Sequence, residues 1–340
     1  MRKGDTIFFE QAPAVIGWGS AAGKKESEGP LSAEFDALYP DTRMGQTTWE
    51  AAEQAFARSA LETALQKSHL QAPHLDGVFA GDLQCQCTAS GYLMRSIDTP
   101  FLGLYGACST FAEGMGLAAC LVATHAMRRA AVCTSSHFCS AERQFRTPLD
   151  YGGKRTPTSQ WTVTGAGCAV LSQSDEGKHP RITKAVFGRV RDFNVTDINN
   201  MGAAMAPAAC ETLLRFFRDT ETAPADYDRI YTGDLGIVGT RLLRTLLQQE
   251  GFVLDNHSDC GMMVFDRETQ NVGAGGSGAG CSASVFCAHI LPRLSDGRMK
   301  RCLLMSTGAL MSQITSLQGE SIPGVAHLIE VCGPTEEGQS

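Results

Sequence analysis

Long apolar runs are missing from this chain: none approaches the ~18 consecutive apolar residues that a membrane-spanning helix requires. The N-terminus, MRKGDTIFFEQAPAVIGWGS, starts basic, but Asp5 and Glu10 interrupt its apolar pieces, so it reads as neither signal peptide nor anchor. Surplus positive charge is also missing. The 29 Lys and Arg stand against 36 Asp and Glu, a net charge of −7. That balance argues against a general nucleic-acid or anionic-membrane surface, and an anionic ligand would need a local cluster of cations. Cys-x-x-Cys pairs are absent although the chain holds 13 cysteines. Several lie in apolar segments, such as Cys133 in RAAVCTSS and Cys302 in RCLLMS, where a thiol behaves as a small hydrophobe. An odd, unpaired set of this kind fits a reducing compartment. Cys85 and Cys87 have no second pair at metal-ligand spacing, so neither a metal site nor a cofactor is expected.

What the chain does have is internal repetition. DGVFAGDL at 76–83 recurs as DRIYTGDL at 228–235, each an apolar run ending in Gly-Asp-Leu and leading into a helical pattern. Upstream of these copies, MGQTTWEAAEQAFARSALETALQ matches MGAAMAPAACETLLRFFRDT; downstream, GACSTFAEGMGLAACLVATHAMRR matches GSGAGCSASVFCAHILPRL, and AAVCTSS matches CLLMSTGAL. Four matched elements in one order imply a duplicated α/β unit with halves at about 1–178 and 179–340. Strands alternating with helices imply mostly parallel sheet, with two sheets related by a pseudo-twofold axis. Turns at the strand C-termini of both halves should then converge on one site. Those turns carry Asp82, Cys108, Ser135 to His137, Asp234, Ser277, Thr307 and Gly308.

Cys108, in GACST, is the residue of greatest chemical interest. A thiol in the first turn of a helix meets unpaired N–H groups and the positive end of the helix dipole, which favour the thiolate. The structural alternative is a small side chain packed under a strand-to-helix turn. Asp82 and Asp234, at equivalent points of the repeat, are expected to cap the helices that follow them.

With these elements in place the sequence resembles the thiolase and ketoacyl synthase superfamily over nearly its whole length. The resemblance implies a thiolase-like α/β fold, with two pseudo-twofold-related halves in a layered α-β-α-β-α arrangement, and it puts Cys108 at the acyl-accepting position. It also exposes gaps. Where the synthase pattern has a histidine, this chain offers Gly233-Asp234-Leu235-Gly236; where it has the asparagine of a Gly-Asn-Thr-Ser turn, this chain has Gly276-Ser277-Gly278-Ala279. His257 and His289 are the nearest alternative bases by sequence. A nucleophile without its partners should be a poor acyl-transfer catalyst, because those groups act as a unit.

Within that superfamily the chain resembles the stage V sporulation protein AD family. The strings that carry the likeness are DTIFFEQAPAVIGWGSAAGKKESEGPL, GLYGACSTFAEGM, CTSSHFCSAERQFRTPLDYGGKRTPTSQWTVTGAG and STGALMSQITSLQGESIPGVAHLIEV. The resemblance implies a non-enzymatic protein that binds dipicolinate (pyridine-2,6-dicarboxylate) for uptake into the developing spore. It further implies a homodimer, peripheral to the cytoplasmic face of the forespore inner membrane, working with other spore membrane proteins of the same uptake assembly. The alternatives are an active acyltransferase using Cys108 and a purely structural subunit. A flat dianion calls for N–H or cationic donors and an apolar slot. The candidate ligand set is Cys108, Ser109, Ser136, His137, Arg143, Arg146, Trp161, Ser277 and Gly308. Each cation has a plainer alternative: Arg143 and Arg146 in ion pairs, Lys154 and Arg155 in an exposed loop, Trp161 in the core.

Overall fold

The computed structural model describes residues 1–145, 155–173 and 177–334. Its first half contributes β3 (Ala14–Ala22), β5 (Gly77–Gly81), β6 (Phe101–Gly103), β7 (Arg129–Ser136) and β9 (Gly165–Ser172), which pair in the order β3-β9-β7-β5-β6. The second contributes β10 (Arg181–Val186), β11 (Arg229–Thr232), β12 (His257–Asp259), β14 (Arg301–Ala309) and β15 (Gly324–Cys332), in the order β10-β15-β14-β11-β12. Order and sense agree strand for strand. β3 to β9 and β9 to β7 are antiparallel while β7 to β5 and β5 to β6 are parallel, and the second half repeats that series.

The expected duplication is therefore visible in hydrogen bonding, but the sheets are evenly mixed rather than mostly parallel. In each half the strand after the nucleophile-type helix is followed by one that returns antiparallel along it. The two sheets meet at one bridge, Arg181 with Ala14. Short pieces complete the pattern: β1 (Arg2–Lys3) pairs with β2 (Thr6–Phe8), which itself pairs with β10, and β4 (Ala37–Leu38) extends β3.

Helices cover both faces of each sheet. On the outside of the first lie α1 (Trp49–Lys67) and α2 (Thr88–Met94); α4 (Phe138–Phe145) packs on α1. Against the second lie α5 (Met201–Thr220) and α6 (Gly236–Gln249). Between the sheets run α3 (Thr110–Ala123) and α8 (Ala279–Val285), the latter continuing through a π-helical turn at Phe286–Ile290 into α9 (Leu291–Ser295). Phe111, Met115, Phe286, Ile290, Leu171, Leu304 and Ile329 form one apolar cluster there, joining the inner faces of both sheets.

Local sequence accounts for these elements. Thr48 caps α1 by accepting from the Ala51 N–H at 3.2 Å, and Ala52, Phe56, Ala60 and Ala64 recur at helical spacing on its buried face. α8 reads AGCSASV, and every residue in it is buried. Small side chains let this helix lie directly on β9, so closely that a Cβ on Gly167 would stand 2.2 Å from the Ala283 carbonyl oxygen. Among the described residues no helix is long and apolar enough to cross a membrane.

Candidate functional site

The convergent turns meet around Cys108. A helical turn at Ala107–Ser109 leads into α3, and Ala107 takes a left-handed backbone, φ 52°, a conformation that costs free energy in a residue with a side chain. The Ser109 hydroxyl donates to the Gly106 carbonyl at 2.6 Å and closes the turn. Gly308 of β14 fits against it: a Cβ there would meet the Gly106 oxygen at 2.7 Å.

From the second half, β13 (Gly276–Ser277) pairs with β8 (Trp161–Thr162) and sets Ser277 beside Thr162. The Ser277 hydroxyl lies 3.6 Å from the Cys108 sulfur and donates to Asp234 Oδ2 at 2.7 Å. Thr307 donates to Asp234 Oδ1 at 2.7 Å, and the Gly278 N–H reaches Oδ2 at 3.3 Å.

Electrostatically this is the reverse of an activated cysteine. Burial pushes the Cys108 thiol well above its usual range, and the negative charge of Asp234 adds to the shift. The helix N-terminus does not win, because the sulfur is enclosed and its near neighbour is an acid. Burial also raises the Asp234 carboxyl, against the lowering effect of its hydroxyl donors.

Neither alternative histidine reaches the thiol. His257 bonds Thr232 at 2.9 Å, where burial pushes its pKa down to about 3, and His289 pairs with Glu34 at 3.0 Å. Above Cys108 a small inner chamber is lined by Leu83, Ala107, Gln160, Thr162, Ser277 and Met311, and it holds about 30 Å³, room for a water or two. It shares Leu83, Ala107, Ala309 and Met311 with an outer vestibule of about 300 Å³ whose walls add Tyr105, Ser312 and Thr315.

Of the expected ligand set, Cys108 and Ser277 line the chamber. Ser109 and Gly308 shape the turn beneath it. Ser136 lies behind: its hydroxyl donates to the Val163 carbonyl at 2.7 Å and accepts from the Gly280 N–H at 3.1 Å, stapling the start of α8 to β7. His137 faces away. It is buried between Trp49 and Phe56, with Nε2 at 2.9 Å from the Thr42 carbonyl and Nδ1 accepting from the Cys139 N–H, and burial lowers its pKa.

Trp161 points out of the chamber while Gln160 and Thr162 point in, as strand alternation requires. Its ring stacks on Phe138 with centroids 4.0 Å apart, under Lys25 and Arg155. Arg155 is half-buried rather than exposed, bridging to Glu142 at 2.7 Å. Arg143 pairs with Glu50, and its carbonyl accepts from Gln313 at 3.2 Å, next to the vestibule residue Ser312. Arg146 and Lys154 lie outside the described residues.

Asp82 caps as expected, accepting from the N–H and hydroxyl of Ser90 in the first turn of α2 at 2.8 and 2.7 Å. Asp234 does not. In the second half the capping falls to Asp259, which accepts from the N–H groups of Leu235 and Gly236 at 2.8 and 3.1 Å and of Met262, in α7 (Cys260–Met263), at 3.2 Å. Asp234 is thereby released to stand behind Ser277. Sequence reasoning leaves it out of the site because its equivalence with Asp82 in the repeat suggests a capping role; its place in the turn where the synthase pattern has a histidine is the available signal.

Comparison with known proteins fits this geometry. The family model described as stage V sporulation protein AD matches residues 3–332. The stage V sporulation protein AD of Bacillus subtilis (strain 168) is 42% identical over 323 residues, covering 95% of each chain. Among solved structures, the chain is similar to 3-oxoacyl-[acyl-carrier-protein] synthase III from Aquifex aeolicus VF5, with TM-score 0.58, 11% identity, and 94% of this chain and 99% of that one covered. It is likewise similar to cerulenin-bound Xanthomonas campestris OleA, with TM-score 0.62, 13% identity, and 97% and 99% covered. At these identities the structural likeness speaks for a thiolase-like fold alone.

Proposed function

Because the chain belongs to the stage V sporulation protein AD family, a family of sporulation proteins, we propose that it binds dipicolinate without catalysing a reaction and serves its uptake into the developing spore. The observation that carries this reading is the company Cys108 keeps. A condensing enzyme needs a base and oxyanion donors at its sulfur; here the sulfur faces Ser277 and a buried Asp234, which hold it as a neutral thiol. The pocket persists while the means of activating its nucleophile do not.

The inner chamber is too small for a pyridine ring, so the ring belongs in the vestibule, against Tyr105, Leu310 and Met311, with one carboxylate directed toward Ser277. In this reading the protein acts as a homodimer at the cytoplasmic face of the forespore inner membrane, alongside other proteins of the uptake assembly.

Titration calorimetry with dipicolinate, run beside pyridine-2-carboxylate, tests the proposal. Saturable binding is expected, weakened roughly tenfold or more when one carboxylate is removed, the scale of a charge-assisted hydrogen bond. Cys108→Ala should change the affinity little. Absence of saturable binding would sink the proposal. The competing reading, acyl transfer through Cys108, rests on the sulfur lining the inner chamber at a strained turn. Its signature is an acyl adduct on Cys108 after exposure to acyl-CoA, seen by mass spectrometry and absent from Cys108→Ala.

A further inference from the structure

The wall of the inner chamber holds a carboxylate that an anionic ligand must contend with. A serine hydroxyl has one proton to donate, and that of Ser277 goes to Asp234 Oδ2. Thr307 serves Oδ1, the Gly278 N–H adds a long bond to Oδ2, and the neutral Cys108 thiol is a further hydrogen-bond donor to this carboxylate. Among the described residues no Lys, Arg or His side chain is bonded to this carboxylate.

With Asp234 ionised, Ser277 therefore turns its lone pairs toward the chamber, and a full negative charge lies one hydroxyl behind the wall. Both oppose a carboxylate. A proton on Oδ2 reverses the hydrogen bond: Asp234 then donates to Ser277 Oγ, and the hydroxyl proton of Ser277 is free to point into the chamber. Thr307 goes on donating to Oδ1. The change requires rotation of one hydroxyl and removes the charge.

We propose that a carboxylate ligand enters this chamber together with one proton, taken from solvent by Asp234 and passed on by Ser277 as a hydrogen bond to the ligand. The inference rests on the dicarboxylate reading and specifies how that site tolerates an anion. The ionisable neighbours of Asp234 are Cys108 at the start of α3, Asp259 and Cys260 at the start of α7, and Cys281 on α8. The three thiols stay neutral because burial raises each of them. Asp259 is occupied by its backbone donors and by the Thr232 hydroxyl at 2.6 Å, and His257 on β12 bonds that same hydroxyl.

Calorimetry of the full chain with dipicolinate, in pairs of buffers with different ionisation enthalpies across a pH series, reads the proton directly. The wild-type chain should take up close to one proton per ligand above the free-state pKa of Asp234. Its affinity should fall by up to about tenfold per pH unit there. Asp234→Asn, whose amide donates to Ser277 as the protonated acid does, should bind with no proton uptake and a flat pH profile. Ser277→Ala should keep the uptake and bind roughly tenfold more weakly. Binding by wild type without buffer dependence, or an Asp234→Asn variant that still takes up the proton, overturns the inference alone. No saturable binding by wild type at any pH overturns the dicarboxylate reading and this inference with it.

Discussion

At the scale of single residues, the informative contrast is between groups that look alike in sequence. Asp82 and Asp234 stand at the same point of the repeat, yet one caps a helix and the other backs a pocket wall. The difference arises because Asp259 reaches the helix-capping position in the second half. Cys108 shows the same dependence on neighbours. Its place at a helix start suggests a reactive thiolate; enclosure beside Asp234 makes it a poor one. Alkylation by iodoacetamide, followed by peptide mass spectrometry, should modify the exposed Cys85 well before Cys108. Asp234→Asn should speed modification of Cys108, because it removes the negative charge that opposes the thiolate. A second buried acid gives a stability prediction. Glu53 of α1 accepts from Gln84 and Ser140 at 2.7 and 2.6 Å, and burial, with the nearby Asp82, pushes its pKa up to about 8. The folded state then holds this proton more tightly than the unfolded chain does. Its contribution is complete below the ordinary carboxyl pKa and is lost as pH rises toward 8. Thermal melts should show Tm falling over that window, and Glu53→Gln should flatten the slope.

At the scale of elements, patterning located the helices and strands well but not the faces they present. The apolar repeat of α1 is plain in the sequence, whereas the burial of Glu53 within it depends on Ser135 and Ser140 arriving from β7 and α4. Trp161 is the most conspicuous aromatic near the site, yet alternation along β8 sends it outward and turns the unremarkable Gln160 and Thr162 inward. His137 follows a strand end that was expected to face the pocket, but α4 begins there and the ring packs under Trp49 instead. The small residues of α8 bring Ser277 to Cys108, because they let the helix sit directly on β9. Gly167→Ala, which would place a methyl 2.2 Å from the Ala283 carbonyl oxygen, should therefore cost about 2–3 kcal/mol, measured as a shift in the denaturant midpoint at unchanged m-value. Dipicolinate affinity should drop alongside stability if the α8 packing is what positions Ser277.

At the scale of the whole molecule, two copies of one α/β unit meet so that a thiol from the first half and a serine and aspartate from the second share a chamber. A net charge of −7 argues against a general attraction of the chain to an anionic surface. On the proposed reading, purified protein should fail to float with phosphatidylglycerol vesicles by itself and should join them when membrane proteins of the proposed uptake assembly are incorporated, and sedimentation should report a mass of two chains. Duplication, the order of elements and the α/β character are legible in the linear chain through periodicity, glycine turns and repeated strings, while the thiolase-like fold and the standing of Cys108 come from the resemblance to a known superfamily. The sense of each strand pairing, the outward faces of His137 and Trp161, and the company of Cys108 are settled only on folding. They depend on groups far apart in the chain being enclosed together, where burial and hydrogen bonding, rather than residue type, set which proton each group holds.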